Sequence, residues 1–490
     1  MNRHESKGPT NYLIILTSKL FITRGIESGQ MIPPYKLDEI VERAELGPIC
    51  TESDFDMKIF VPALRRVLKE HGIKYDPQYV IPTDDSLAKD AFEAAYELFL
   101  EVGTFCTTSS RRILFTEGEI KEALACFPGE FDVGLGKDKT TMRHREIQDP
   151  RPPFCLFGPM GQACTEENFI EVVMAYMKEP LADGISSPSL DTINGIPIKV
   201  RGASEMLGSI AHTMKVKEAA RRIGRPGIFT MSVATAPSDA AQIAASNPQW
   251  GKTITDGGFI GGLAEMKVDF DLLRKMLFFH QYGHLVSALC GPLLGGFSGG
   301  PEGTAITAIA YHLQGLLVHQ AHFQANFPMH MMQSCTTTRE VLWASNLSSQ
   351  SISANTKLIT FAKGKGAAGP CTDMILYEAA AHGMATVSGA NLYIFGSARN
   401  KYKDRFTPRE ARMAAEVGHG VSHGGLKRAD ANEILKEIIK HYEGRIKDAP
   451  LGKKVQECYN IKSIRPTEEY IKLYDGVKKE LADLGIPFIF

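Results

Sequence analysis

The chain has 490 residues, of which 43% are hydrophobic and 23% charged, a composition typical of a globular protein with a large core. Its formal net charge of −1 gives no support to nucleic-acid binding or to a charged membrane surface. The cysteines form no Cys-X-X-Cys pair, nothing resembles a secretion signal, and the apolar stretch at 12–21 is too short to span a bilayer. We therefore expect a cytoplasmic protein with reduced thiols.

The first part of the chain has a different pattern from the rest. Residues 1–53 contain prolines at 9, 33, 34 and 48 and are interpreted as an N-terminal extension. Helices are predicted over 54–126, where Asp84 can cap a helix and Thr116 and Glu119 have the spacing of a capping box. Residues 1–149 are therefore expected to pack as an extension and a helical region on the domain that follows.

From about residue 150, short apolar runs alternate with segments of helical length, and each run ends in small residues or glycine. Eight such runs predict a (β/α)8 barrel, in which the chemistry lies in the loops after the strands. A doubly wound open sheet is the alternative, although no Gly-X-Gly-X-X-Gly motif follows the first strand. The predicted strands are 154–157, 184–186, 228–233, 259–263, 285–290, 327–332, 358–362 and 392–395.

The segments between these runs include predicted helices at 203–222, 269–282, 305–324 and 340–353. The predicted catalytic barrel therefore covers residues 150–404. Residues 405–490 are predicted to form a further helical region, because their apolar residues recur at helical spacing.

Seven short motifs, in this order and spacing, resemble the monomethylamine:corrinoid methyltransferases of anaerobes. The resemblance covers roughly residues 54–490. The motifs are Gly224-Arg-Pro-Gly227, Gly300-Pro-Glu302, Thr338-Arg-Glu340, Gly369-Pro-Cys-Thr372, Glu410-Ala-Arg-Met413, Gln456-Glu-Cys-Tyr459, and Pro466-Thr-Glu-Glu-Tyr470 with Tyr474-Asp-Gly.

The resemblance implies a (β/α)8 barrel that removes a methyl group from a small substrate. It also implies transfer of that methyl group to Co(I) of a separate corrinoid protein, which docks over the barrel mouth. The enzyme itself would hold no tightly bound cofactor. We further expect a homo-oligomer.

The methylamine enzymes carry pyrrolysine, an electrophilic imine, at a strand end, and the corresponding position here is Met231. Two glutamates neighbour the pyrrolysine in that family, and Phe259 and Leu289 stand at their places. A nearby glutamine corresponds to Lys363. The resemblance thus implies that the groups which bind and protonate an amine have been replaced together.

These replacements indicate a larger and less basic substrate than methylamine. Burying a single carbon contributes only about 0.8 kcal/mol, so methylamine needs a covalent or ionic handle. An aromatic ring buries roughly 150–250 Å², equivalent to at most about 4–6 kcal/mol. A phenol, with a pKa of about 10, is also a far better leaving group than an alkoxide. We therefore predict O-demethylation of methoxylated aromatic compounds.

Two residues are candidate catalytic acids. Glu302 follows the fifth predicted strand and could protonate or orient the substrate, or could stabilise the start of the next helix. His330 lies within the sixth predicted strand and could donate a proton, or could be a satisfied core histidine.

Other residues are candidates for the pocket wall. Phe229 and Phe297 could line it or belong to the core, and Gln333 could bind a ring substituent. Lys363, with Lys365 beside it, could pair with a substrate carboxylate or with the corrinoid tail, or could lie in a solvated loop.

A zinc site is a less favoured hypothesis. Cys290, Cys335 and Cys371 all lie at predicted strand ends, and converging thiolates could hold a zinc ion that polarises an ether oxygen. Cysteine is also a common buried residue, and no close pair of cysteines is present in the sequence.

Two other functions stay open. One is corrinoid-dependent demethylation of a methylamine, a quaternary amine or a methyl thioether, for which Phe229, Phe259 and Phe297 could supply an aromatic cage. The other is a binding or scaffold protein without catalytic activity.

Overall fold

A computed structural model describes residues 36–490, except for residue 234 and residues 398–401. Most of the predicted N-terminal extension, residues 1–35, lies outside the described residues, as does the apolar stretch at 12–21. None of the described helices is both long enough and apolar enough to cross a membrane.

Eight parallel strands, β1–β8, form a barrel, and a helix follows each strand, giving α1–α8. The strands are β1 Cys155–Phe157, β2 Gly184–Ile185, β3 Phe229–Thr230, β4 Gly257–Ile260, β5 Leu285–Cys290, β6 Phe323–Asn326, β7 Thr360–Gly366 and β8 Asn391–Ser397. The helices are α1 Phe169–Met177, α2 Ala203–Arg222, α3 Asp239–Ala245, α4 Phe270–Gln281, α5 Pro301–Leu317, α6 Arg339–Asn355, α7 Asp373–Gly383 and α8 Pro408–His423.

The order of the strands closes the sheet into a barrel. Along the sheet the order is β3-β2-β1-β8-β7-β6-β5-β4, so β8 pairs with β1 and the two ends of the sheet are β3 and β4. This cyclic order confirms the predicted (β/α)8 barrel and rules out the doubly wound alternative.

Side chains, not a ladder of backbone hydrogen bonds, bridge β3 and β4. The Thr230 backbone N–H and its hydroxyl donate to Asp256 Oδ1 at 3.0 and 2.7 Å. Lys217 Nζ donates to both Asp256 carboxylate oxygens at 3.0 and 2.9 Å, and Lys252 Nζ donates to the Met231 carbonyl at 2.7 Å. Burial lowers the pKa of Lys252 to about 7, while Lys217 and Lys252 hold the pKa of Asp256 well below its usual value.

Four phenylalanine rings fill the lower part of the barrel interior. Their centroids lie 5.3–6.3 Å apart around the ring of contacts, and each side chain is at most 5% exposed. This aromatic floor closes the barrel below the mouth. It consists of Phe154, Phe229, Phe323 and Phe361.

Two predicted strands were misplaced. The sixth prediction, 327–332, is wrong: β6 is Phe323–Asn326, and the predicted helix 305–324 ends at Leu317. Gln324 and Asn326 give this strand a polar sequence, which does not resemble a buried strand. Asn326 is nevertheless buried, and its amide donates a hydrogen bond to Ser348 Oγ at 2.8 Å.

The fourth strand begins two residues before its prediction, at Gly257–Gly258. Glycine is unusual in strands, but α4 packs so close that a Cβ at Gly258 would lie 2.4 Å from Phe279. The third strand, predicted over 228–233, is only two residues long.

Further helices surround the barrel. Asp85–Val102 packs on α5 and α6, and Arg428–Lys440 and Glu468–Asp483 pack on α7. The predicted cap at Asp84 and the capping box of Thr116 and Glu119 are both present. The other N-terminal and C-terminal elements are helices Leu37–Leu46, Glu52–Asp54, Val61–Glu70, Glu117–Cys126 and Val455–Cys458, a π-helical turn Phe55–Phe60, and short strands Thr104–Cys106, Arg111–Ile113, Glu130–Val133, Thr140–Arg143, Tyr459–Asn460 and Arg465–Pro466. The strand Thr104–Cys106 also pairs with Lys267–Val268, a short strand between β4 and α4.

Asp256→Asn tests the side-chain bridge. Loss of the charge leaves two buried lysines without their counter-ion, so we expect the free energy of unfolding to fall by about 3–5 kcal/mol. Glu437→Gln removes an exposed ion pair with Lys440 and should change the free energy of unfolding by at most about 1 kcal/mol. Chemical denaturation of both variants measures the difference, and equal stability of the two would contradict the assigned role.

Candidate active site

A cavity of about 190 Å³ opens at the carboxyl ends of the strands, where barrel enzymes carry their chemistry. The loop after β1 forms one side. Three residues of β7, one each of β4, β5 and β8, and Phe327 after β6 form the other. The lining residues are Gly158, Pro159, Met160, Gln162, Phe259, Leu289, Phe327, Lys363, Gly364, Lys365 and Gly396.

The alternation of β7 directs two lysines into the barrel. A Cβ at Gly364 would lie 2.7 Å from His382, and a Cβ at Gly366 would lie 2.7 Å from Ile375, so both glycines face α7. Because side chains alternate along a strand, Lys363 and Lys365 face the interior, and both line the cavity. The close approach of α7 explains why glycine occupies the positions beside the lysines.

Aromatic rings surround the ammonium group of Lys363. Its Nζ lies 3.8 Å from the ring centroid of Tyr393, 5.4 Å from that of Phe259 and 5.5 Å from that of Phe327. Burial, and to a smaller degree the neighbouring Lys365, lowers the pKa of Lys363 to about 7. Burial also lowers the pKa of Lys365.

Two neutral polar groups complete the cavity. The Tyr393 hydroxyl lies 3.0 Å from Ser186 Oγ and 2.9 Å from Met160 Sδ, which fixes the ring beneath Lys363. Gln162 is 3% exposed, and its side-chain carbonyl oxygen accepts no hydrogen bond within the described part of the chain. It is therefore available to a hydroxyl group of a ligand.

The cavity is basic and aromatic. Its lining contains two lysines and no aspartate or glutamate. A second, more open cavity of about 410 Å³ adjoins it across Met160 and Phe259, which line both. The first cavity is suited to an apolar ligand that carries a negative charge or develops one.

The structure brings three of the predicted pocket residues together. Phe259, Leu289 and Lys363 line the cavity from β4, β5 and β7. Met231 lies outside its lining: the side chain is 4% exposed and packs between β3 and Gly257, with Sδ 2.6 Å from where a Cβ of that glycine would be. Phe229 is fully buried in the aromatic floor and is also absent from the cavity wall.

The other predicted side chains lie elsewhere. Glu302 lies in the first turn of α5, and its Oε1 accepts the backbone N–H of Tyr75 at 2.9 Å, so it connects α5 to the N-terminal helical region. Phe297 is 44% exposed on the loop after β5. His330 lies in the short strand Met329–His330, which pairs with Leu293–Leu294 outside the barrel sheet, and the N–H of Gln333 in the following turn donates to His330 Nδ1 at 3.3 Å. None of these four lines the cavity.

The three candidate zinc-binding cysteines do not converge. Cys290 Sγ donates to Gln324 Oε1 at 3.4 Å, and Cys371 lies beside Cys458. Burial raises the pKa of Cys335 to about 11. Over residues 36–490, apart from the five undescribed ones, no group of three or more His, Cys, Asp and Glu side chains could hold a metal.

Sequence reasoning missed three residues of the cavity wall, Met160, Gln162 and Phe327, and also Tyr393, whose ring lies behind the wall against Lys363. Tyr393 had a detectable signal, because it lies inside the correctly predicted eighth strand. Phe327 was assigned to a strand although it follows β6. Met160 and Gln162 lie in an irregular loop, where no periodicity indicates the direction of a side chain.

These features define an α/β-barrel enzyme whose site lies at the barrel mouth. The family described as "Monomethylamine methyltransferase MtmB" matches residues 36–486, and the chain belongs to this family. Membership confirms the predicted class, a methyltransferase of the kind that acts with a separate corrinoid protein.

Individual relatives agree with this family assignment. The chain is 33% identical over 460 residues to monomethylamine methyltransferase MtmB1 of Methanosarcina barkeri, covering 92% of this chain and 98% of the relative. It is 32% identical over 460 residues to MtmB of Methanosarcina mazei, with the same coverage.

Solved structures agree with the fold. The crystal structure of the Methanosarcina barkeri enzyme superposes with a TM-score of 0.88 at 31% identity, covering 92% of this chain and 98% of that one. A hydroxylamine complex of MtmB gives the same values.

The packing of Met231 can be tested with a double mutant. Gly257→Ala should cost about 1–3 kcal/mol of stability by crowding Met231 and the ring of Phe229, and Met231→Ala about 2–5 kcal/mol by leaving a void. Because the added methyl group occupies part of that void, the double variant should lose less than the sum. Chemical denaturation of the three variants measures this coupling, and strict additivity would argue that the two side chains do not touch.

Proposed function

We propose that this protein transfers the methyl group of an aryl methyl ether to the corrinoid of a separate protein, releasing a phenol. The observation that carries the proposal is an aromatic-walled cavity holding two lysines and no carboxylate. The Co(I) corrinoid of the partner supplies the nucleophile, and the residues of this chain bind the donor and assist the leaving group.

The size of the cavity fits one substituted ring. An apolar protein cavity of about 150 Å³ can hold benzene, so 190 Å³ leaves room for small substituents. Phe259, Leu289 and Phe327 offer such a ring apolar contacts. A single methylamine molecule would leave most of this surface without a partner.

The charge of the cavity opposes a cationic donor. Methylamine is protonated near neutral pH, as the lysine side chain is in water, and Lys363 and Lys365 would repel it. The relatives are named monomethylamine methyltransferases, which makes methylamine the second candidate. The absence of any carboxylate from the lining favours the ether.

Lys365 is placed to assist departure of the phenol. It lies one inward-facing position closer to the mouth than Lys363, on the side from which the corrinoid must approach. As the methyl–oxygen bond breaks, its electron pair stays on the ether oxygen and the methyl group passes to cobalt. The Lys365 ammonium then donates a proton to that oxygen and is reprotonated by water.

The corrinoid protein is proposed to dock over the barrel mouth. Loops after β5 and β6 expose the apolar side chains of Phe297, Met331 and Met332, which are 44%, 49% and 82% exposed. Exposed aromatic and methionine side chains are typical of protein-binding surfaces. The predicted homo-oligomer stays a prediction.

A methyl-transfer assay tests the proposal. The corrinoid protein in its Co(I) state is mixed with the enzyme and 2-methoxyphenol, 4-methoxybenzoate or methylamine, and its methylation is followed by absorbance. We expect transfer from at least one ether and none from methylamine. Transfer from methylamine alone would overturn the proposal.

Lys365→Met in the same assay tests the proton donor. We expect kcat for the ether to fall by roughly 10²–10⁴-fold, the usual contribution of a general acid. The wild-type rate should fall as pH rises through the lowered pKa of Lys365, since only the ammonium form donates. Lys440→Met, at an exposed helix position, should keep the wild-type rate. An unchanged rate in Lys365→Met would contradict the assigned role.

A further inference from the structure

We propose that the methyl donor is an anion whose carboxylate pairs with Lys363 in the deeper part of the cavity. This inference deepens the proposed function and rests on it for the aromatic part of the donor. It concerns the end of the donor that does not react, and it can be tested without the corrinoid protein.

Among the residues that the structure describes, Lys363 has no counter-ion. Within the described ranges, no residue forms an ion pair or a hydrogen bond with its Nζ, and the cavity lining is free of acidic side chains. The titratable groups that face it are Lys365 on the same strand and the phenol of Tyr393 on β8. Burying a cation in a largely apolar pocket costs free energy unless an anion offsets its loss of hydration.

The aromatic rings define where that anion can bind. Phe259, Phe327 and Tyr393 flank the ammonium group and keep much of its surface away from water. A carboxylate entering from the cavity meets the remaining face of the ammonium in a low-dielectric environment. Such a charge-assisted hydrogen bond is stronger there than at the surface.

The spacing along β7 suggests how the donor lies. Lys363 and Lys365 are two residues apart, which corresponds to roughly 6.6 Å along a strand. A ring with a carboxylate at one end and a methoxy group at the opposite end would place the carboxylate at Lys363. The methoxy group would then lie by Lys365, toward the mouth. This orientation predicts a para-methoxybenzoate.

A carboxylate could also belong to a fully N-methylated amino acid, such as trimethylglycine. In that case the aromatic rings would have to receive a quaternary ammonium group, but the ammonium of Lys363 already lies among them. We therefore favour the methoxybenzoate and use trimethylglycine as a competing ligand in the test.

Isothermal titration calorimetry of the enzyme alone tests the inference. We expect 4-methoxybenzoate to bind at least about 30-fold more tightly than the neutral 4-methoxybenzamide, as for loss of one partner of a buried charge pair. Pairing restores the charge of Lys363, whose pKa is about 7, so binding at pH 8 should take up most of one proton. Titrations in buffers of different ionisation enthalpy measure this uptake, which should nearly vanish at pH 6.

Two substitutions separate charge from structure. Lys363→Met should remove the preference for the carboxylate over the amide. Lys363→Arg should keep the preference but abolish the proton uptake, because arginine stays charged at pH 8. Unchanged thermal unfolding of both variants confirms that they are folded.

The outcomes are distinguishable. Equal affinity of the wild-type enzyme for the carboxylate and the amide would overturn the inference, whether or not either compound is demethylated. Binding of trimethylglycine but not of methoxybenzoate, with the same dependence on Lys363, would support the carboxylate site and overturn the aryl ether as donor.

Discussion

The geometry of the barrel depends on the hydrogen bonds and the ion pair that the Asp256 carboxylate forms. No ladder of hydrogen bonds joins β3 to β4, and Asp256 connects them by accepting from Thr230 and from Lys217. Its charge also offsets that of the buried Lys252, which holds the Met231 carbonyl. The connection of β3 to β4 at Asp256 closes the barrel. It sets the position of Phe259 and therefore part of the cavity wall.

Another part of the same wall follows from the packing of β7 against α7. Glycines at 364 and 366 let the helix approach closely, and the alternation of the strand then directs Lys363 and Lys365 inward. A site that belongs to a family of methylamine enzymes thus presents two cations to its ligand. In the proposed function, the same scaffold accepts a different methyl donor because its chemistry depends on a few inward-facing positions.

Much of the fold could be predicted from the sequence, because buried parallel strands appear as apolar runs ending in small residues. The prediction failed at β6, where Gln324 and Asn326 are buried with internal partners, and at β4, which begins with two glycines. The family resemblance grouped Met231 with Phe259, Leu289 and Lys363, and only the last three line the cavity. Sequence could not show that Glu302 binds the Tyr75 backbone, since that contact joins residues far apart in the chain.

A crystal structure of the enzyme with 4-methoxybenzoate would test the central claim most directly, because it locates both ends of the donor at once. We predict that the carboxylate lies within hydrogen-bonding distance of Lys363 Nζ, that the ring contacts Phe259 and Leu289, and that the methoxy group points toward the barrel mouth beside Lys365. A ligand bound outside this cavity, or one with its carboxylate directed to solvent, would contradict the account.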